Sequence, residues 1–187
     1  MFKFKFMSLK SDKKPKNSKK KLNSTLLFLI NILNSNNIKN WFIGYGTLLG
    51  IVRENSCIDG DDDIDIICDK KNRSVLLKSM LKNGFKFTYG YGIGNSKKIL
   101  KTVPTDTYAS IDFYMASIDK RGNFKDEWEN VIWSECYNEN NELKKYIWNE
   151  NIIYFPFNYK TKLINRYGKK WRIPQNNKGP SPRKKIL

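Results

Sequence analysis

Six of the chain's 18 acidic residues, Asp59, Asp61, Asp62, Asp63, Asp65 and Asp69, fall within eleven residues of an otherwise basic sequence. Like charges at that density repel and call for a counter-charge. Read as a β-strand, DDDIDIIC alternates its side chains. Asp61, Asp63 and Asp65 then share one face, Ile64 and Ile66 point into a core, and Asp62 lies opposite the first set. Carboxylates two residues apart on one face can share a hard divalent cation such as Mg²⁺ or Mn²⁺, which keeps positions open for water and phosphate oxygens. The competing reading of the cluster alone is an exposed acidic loop. A calcium loop fails twice: counted from Asp59, position six is Ile64 where glycine is required, and position twelve is Lys70 where a bidentate Glu belongs.

The rest of the inventory narrows the chemistry further. The chain contains no histidine, which removes Ser-His-Asp and Cys-His catalysis, HExxH sites and histidine-bearing zinc sites. Its three cysteines, Cys57, Cys68 and Cys136, form no CxxC pair and no complete disulfide framework, so a reducing compartment is expected. Upstream of the aspartates, GYGTLLG offers small residues at a turn and backbone N–H groups at a helix start, an arrangement suited to phosphate. Glycines at such a turn also serve conformation alone. Arg53 follows with a fixed positive charge, available to a phosphate or to one of the surplus aspartates.

These groups need a scaffold, and 187 residues with 40% apolar and 14% aromatic content suffice for one packed domain. Leu22, Leu26, Leu29, Ile30 and Leu33 form one stripe of a helix. Ile38–Gly44 reads as a buried strand, GYGTLLGIVR as a turn into a short helix, and the acidic strand follows. NRSVLLKSMLKNG reads as an amphipathic helix stopped by Gly84, and FKFTY as a strand. KILKTV and ASIDFYMAS alternate as strands around a turn at Pro104. Residues 124–151 show no decisive period. IIYFP and NYKTKLINRYG then read as a strand and a helix closed by Gly168. The order predicts an α/β or α+β domain with a mixed sheet flanked by helices.

The formal net charge of +17 lies mostly at the ends: +8 within residues 1–21 and +4 within 178–187 leave +5 for the remainder. The expected organisation is a basic, disordered tail over 1–21, a catalytic domain over 22–175 and a basic tail over 176–187. Such tails suit polyanions or an anionic membrane surface, so peripheral membrane contact and nucleic acid are both conceivable partners. The longest apolar run, LLFLINIL, is too short to span a bilayer, and no signal peptide is visible, so a soluble, cytoplasmic protein is expected.

GYGTLLGIVRENSCIDGDDDIDI resembles the LicD family, which includes fukutin and the fukutin-related protein and is marked by a GTLLG..R segment followed by WDDDID. NRYGKKWRIP resembles that family's C-terminal YG..W..P element. Gly60 stands where the family commonly has Trp, and Asp59 where it commonly has Pro. The resemblance implies a nucleotidyltransferase-type sheet. In it the turn at Gly46 and Thr47, with Arg53, is implied to bind the donor's phosphates, and Asp63 and Asp65 to bind the metal cofactor, Mg²⁺ or Mn²⁺, together with a third carboxylate from a later strand. Asp112 in SIDFYM is the best match, since a mid-strand carboxylate among apolar residues needs a partner. Asp61 is implied as a further ligand or as the acceptor of a proton. Family members move a phosphorylated alcohol from a CDP-activated donor to a glycan hydroxyl. A nucleotidyltransferase acting on RNA, protein or a small molecule, a DxD glycosyltransferase, and a carbohydrate-binding module are the alternatives. Tyr167, Trp171 and Arg172 are candidates for a stacking wall or for core, and Tyr89 and Tyr91 for the donor pocket.

Overall fold

Leu22, Leu26, Leu29, Ile30 and Leu33 are all fully buried on helix α1, Lys19–Ser35. Each such side chain removed from water contributes about 1.5–3 kcal/mol, so the helix is held by its stripe. Ser18 caps its start by accepting the Lys21 N–H at 3.2 Å. The helix therefore takes in the last three residues of the segment that composition assigns to a tail. The computed structural model describes residues 16–91, 93, 97–174 and 185–187; the remainder of both basic segments lies outside them.

Beyond α1 the chain forms β1 (Trp41–Ile43), α2 (Tyr45–Glu54), β2 (Asp63–Asp69), α3 (Arg73–Lys82) and β3 (Ile99–Lys101). There follow β4 (Ser110–Ile118), β5 (Phe124–Asp126), β6 (Val131–Trp133), β7 (Lys144–Trp148), β8 (Asn151–Phe155) and α4 (Tyr159–Tyr167). The main sheet runs β1-β2-β4-β5-β6, with β3 also on β4. Among these named strands only the β2–β4 pair is parallel, and β7–β8 is a separate hairpin. This is the expected mixed α/β architecture. Every residue of β2 is buried, as befits a central strand covered on both sides.

Four expectations change. The acidic strand starts at Asp63, because Asp61 and Asp62 are held in the preceding turn: Asn17 N donates to the Asp61 carbonyl at 3.0 Å and Asn17 Nδ2 to that of Asp62 at 2.8 Å. FKFTY is not a continuous strand; within it, Phe87 and Tyr89 make isolated bridges, to Thr102 and Ile93. The undecided stretch 124–151 holds β5, β6 and β7 and the first residue of β8. At the far end of the segment expected as a basic tail, Leu187 is buried and its N–H donates to Ile132 O at 2.8 Å. Gly168 closes α4 at φ 84, as expected. Among the described residues no helix is long and apolar enough to cross a membrane.

Two glycines of the GYGTLLG segment are needed for close approach rather than for a left-handed backbone. A Cβ on Gly50 would stand 2.7 Å from Ser56 O and 2.9 Å from Ile58 N, so α2 can lie against the 56–58 loop only without one. The left-handed residue of the turn is Tyr45, at φ 34. Its ring lies edge-on to Trp133 at 5.1 Å and its O–H donates to fully buried Asp126 at 2.6 Å, which holds the conformation in place.

Candidate active site

The parallel register sets Asp65 beside Asp112 and Asp63 beside Ser110, so the three carboxylates share one face of neighbouring strands. All three are buried, at 8% exposure for Asp63 and 6% for Asp65 and Asp112. Ile64 and Ile66 point to the other face and are fully buried there. The turn into α2 closes over the carboxylates. Gly46 N donates to Asp65 Oδ2 at 2.9 Å, Thr47 Oγ1 accepts the Asp65 N–H at 2.8 Å, and Gly44 N donates to the Asp65 carbonyl at 3.0 Å. Gly46 and Thr47, expected to meet a phosphate, are thus engaged with Asp65, whose negative charge faces the positive end of the helix.

Asp61 reaches the same place from the turn before β2. A Cβ on Gly46 would lie 2.7 Å from Asp61 Oδ2 and 3.3 Å from Asp65 Oδ2, so a side chain there would collide with the cluster. Asp62 is not turned away, because strand alternation begins only at Asp63: Asp61, Asp62 and Asp63 can bring one carboxylate oxygen each within 4.8 Å of one another. Burial pushes the Asp61 carboxyl up to about 6, with its own neighbours Asp63 and Asp62 adding to the effect. Asp65 is held well above the carboxylate range by burial first, then by the charges of Asp63, Asp61 and Asp112. The site is all oxygen, over-charged and partly enclosed, which is the donor chemistry of a hard divalent cation.

Three further residues complete it without having been singled out in the sequence. Lys101, on β3 directly opposite Asp112, places its ammonium 3.2 Å from Asp63 Oδ2 and 2.5 Å from Asp112 Oδ1. Tyr114 donates its O–H to Asp65 Oδ1 at 3.2 Å and meets Tyr45 edge-on at 4.9 Å. Arg166, from α4, lies 4.6 Å over the Tyr45 ring and 3.4 Å from Glu129. A signal existed for Lys101 alone: a lysine in an otherwise apolar strand facing a lone Asp across a turn is a cross-strand pair once the register is known.

Other candidates go elsewhere. Arg53 sits at the far end of α2, about 10 Å along the axis from Gly46, and its guanidinium donates to Glu54 at 2.6 and 3.0 Å. It is not drawn into the carboxylate cluster. Trp171 is buried in the core, with Arg172 stacked on it at 4.6 Å. Tyr89 is largely exposed, and Tyr91 leans on Trp128. The thiols of Cys57, Cys68 and Cys136 are unpaired, buried and pushed up to about 12 by desolvation, which makes them poor nucleophiles.

The family model described as LicD/FKTN/FKRP, nucleotidyltransferase domain, matches residues 37–176, from before β1 to beyond α4. The chain belongs to the LicD family. Among solved structures, the LicD chain is similar to the lincosamide antibiotic adenylyltransferase LnuA, solved with lincomycin bound. Identity is 13% and the TM-score 0.52, over 77% of this chain and 85% of that one. It is also similar to the antibiotic-resistance factor ANT(2'')-Ia, at 11% identity and a TM-score of 0.51, over 74% of this chain and 66% of that one. At these identities the likeness is one of fold. No curated protein matches the chain in sequence. Family and fold together make this LicD protein a transferase of the nucleotidyltransferase type.

Proposed function

We propose that the protein transfers a phosphorylated alcohol from a CDP-activated donor to a hydroxyl of a glycan, with Mg²⁺ or Mn²⁺ at the aspartate face. The observation that carries this reading is the buried trio Asp63, Asp65 and Asp112 on adjacent parallel strands under the Gly46–Thr47 turn, in a LicD chain. Asp63, Asp65 and Asp112 would hold the cation, with Asp61 beside them. A bound cation supplies charge neutralisation for the donor's diphosphate and for the departing CMP.

The chain's own residues do the rest. Asp61, beside the residues that would hold the cation, is the carboxylate that would take the proton of the attacking hydroxyl. The new bond joins that oxygen to the alcohol's phosphorus, and the bond from this phosphorus to the CMP oxygen breaks. Tyr114 and Gly46 fix Asp65 from two sides, so that the carboxylate is placed before the donor arrives. With no histidine in the chain, a carboxylate or water must carry the proton.

A thermal-shift panel tests this: CDP-choline, CDP-ribitol, CDP-glycerol, UDP-sugars, ATP and CTP, each with and without Mg²⁺ or Mn²⁺. A ligand at about 100 times its dissociation constant adds roughly 2.7 kcal/mol to the native state, enough to read. A metal-dependent shift confined to CDP-alcohols, followed by release of CMP on turnover, is expected. A shift with ATP or CTP alone, with pyrophosphate released, would replace the proposal by nucleotidyl transfer, the chemistry of the LnuA adenylyltransferase that shares the fold.

A further inference from the structure

Asp61, Asp63, Asp65 and Asp112 gather at one face, and a lysine of the chain itself reaches into it. Lys101 bridges Asp63 and Asp112, whereas Asp65 is served by Gly46 and Tyr114. Its position is built in: β3 is in register with β4 so that Lys101 lies directly opposite Asp112, and Thr102, fully buried next to it, locks that register by accepting the Ile111 N–H at 2.8 Å. The Lys101 side chain is only partly exposed, at 18%. Its four-carbon stem is flexible at the charged end.

We propose that Lys101 is an exchangeable cation of the site: it holds Asp63 and Asp112 in place before the metal binds, is displaced by the metal, and then engages the donor's diphosphate. The inference rests on the metal-dependent reading above. A divalent ion held by Asp63 and Asp112 would compete with the ammonium for the two oxygens it now occupies, Asp63 Oδ2 and Asp112 Oδ1, and would repel it at that distance, which favours the lysine's departure. The nearest new anion is the phosphate that the metal brings in, within reach of a lysine that pivots without moving its strand. Lys101 would thereby weaken metal binding to the free protein and strengthen binding of a nucleoside diphosphate to the metal-loaded protein. Those effects have opposite signs, which a residue serving only the fold would not produce.

Calorimetric titration of the full chain with Mn²⁺, and then with cytidine diphosphate at saturating Mn²⁺, separates the cases. Lys101→Met keeps the stem and removes the charge; Lys101→Arg keeps the charge. We expect K101M to bind Mn²⁺ about tenfold more tightly than wild type and cytidine diphosphate about tenfold more weakly, each step corresponding to 1.4 kcal/mol. K101R should stay on the wild-type side in both titrations. Equal or weaker Mn²⁺ binding by K101M, or a parallel loss of both affinities, overturns the role given to Lys101 and leaves the transferase reading standing. Failure of wild type itself to bind Mn²⁺ removes the metal reading and the Lys101 inference with it. Should K101M not fold, as judged by circular dichroism, Lys101→Gln carries the same measurement.

Discussion

Strands β2 and β7 both carry charged residues next to apolar ones, yet they are used in opposite ways. In β7 the charges of Lys144 and Lys145 face water, Ile147 is 75% exposed, and Lys145 lies at 4.0 Å from Glu142 across open solvent. In β2 the whole strand is buried, and the charged side of it is roofed by the α2 turn, Tyr114 and Lys101. Exposed charges cost a fold almost nothing, and surface ion pairs return about 0–1 kcal/mol. Buried carboxylates of one sign are costly and persist where something binds them. The contrast separates a strand that solvates a hairpin from one that prepares a site.

The sharpest way to break that contrast is to neutralise one carboxylate in β2 and one charge in β7. Asp65→Asn should lower turnover by roughly 10²–10³-fold while circular dichroism stays native, whereas Lys145→Ala should leave turnover unchanged and stability within about 0.5 kcal/mol. Similar activity losses in both variants would remove the distinction. A smaller effect is expected from Gly46→Ala, whose Cβ would meet Asp61 Oδ2 at 2.7 Å. Displacing that carboxylate should reduce turnover about tenfold with little change in melting temperature, because the atom that must move is the end of a side chain.

The third expectation concerns pH and stability. The Asp61 carboxyl is raised from 3.8 to about 6 in the folded chain. Below about pH 4 both folded and unfolded forms are protonated and the group contributes nothing. Between about pH 4 and pH 6 the unfolded chain gives up the proton that the folded chain keeps, so stability falls across that window and levels off above it. The metal-free protein should therefore melt at lower temperature at pH 7 than at pH 4.5 on account of this group. Asp61→Asn should flatten that dependence, and Mg²⁺ or Mn²⁺ should reverse it. A wild-type curve indifferent to both the substitution and the ion would show that Asp61 lies outside the cluster's field.

Much of this was legible because it is periodic. The α1 stripe reads directly as a buried face, and the alternation of Asp63–Ile66 predicts which side chains meet Asp112 and which the core. What was not legible depends on contacts between distant segments. Asn17, forty-four residues before Asp61, decides where the acidic strand begins, and no local pattern contains it. The β5–β8 region consists of strands of three and five residues, too short for a period to show. Their turns are marked by Asn130, Asn141 and the pair Asn149–Glu150, all left-handed. Two consecutive left-handed residues suit a tight hairpin, but Asn-Glu is a weaker signal for it than Asn-Gly. Lys101 was hidden for a related reason: its pairing with Asp112 requires the exact length of the turn between them, which the residues around Pro104 leave open.

The close seating of the 56–58 loop on Gly50 gives the molecule a built-in clock. Cys57 lies in that loop, a few residues before Asp61, while Cys68 sits within β2 itself. A thiol reagent can reach either sulfur only during an opening, and the two openings differ in scale: lifting a loop from a helix, against parting a central strand. The ratio of their labelling rates therefore measures how often the Asp61 end of the aspartate face comes loose while the sheet beneath it stays shut.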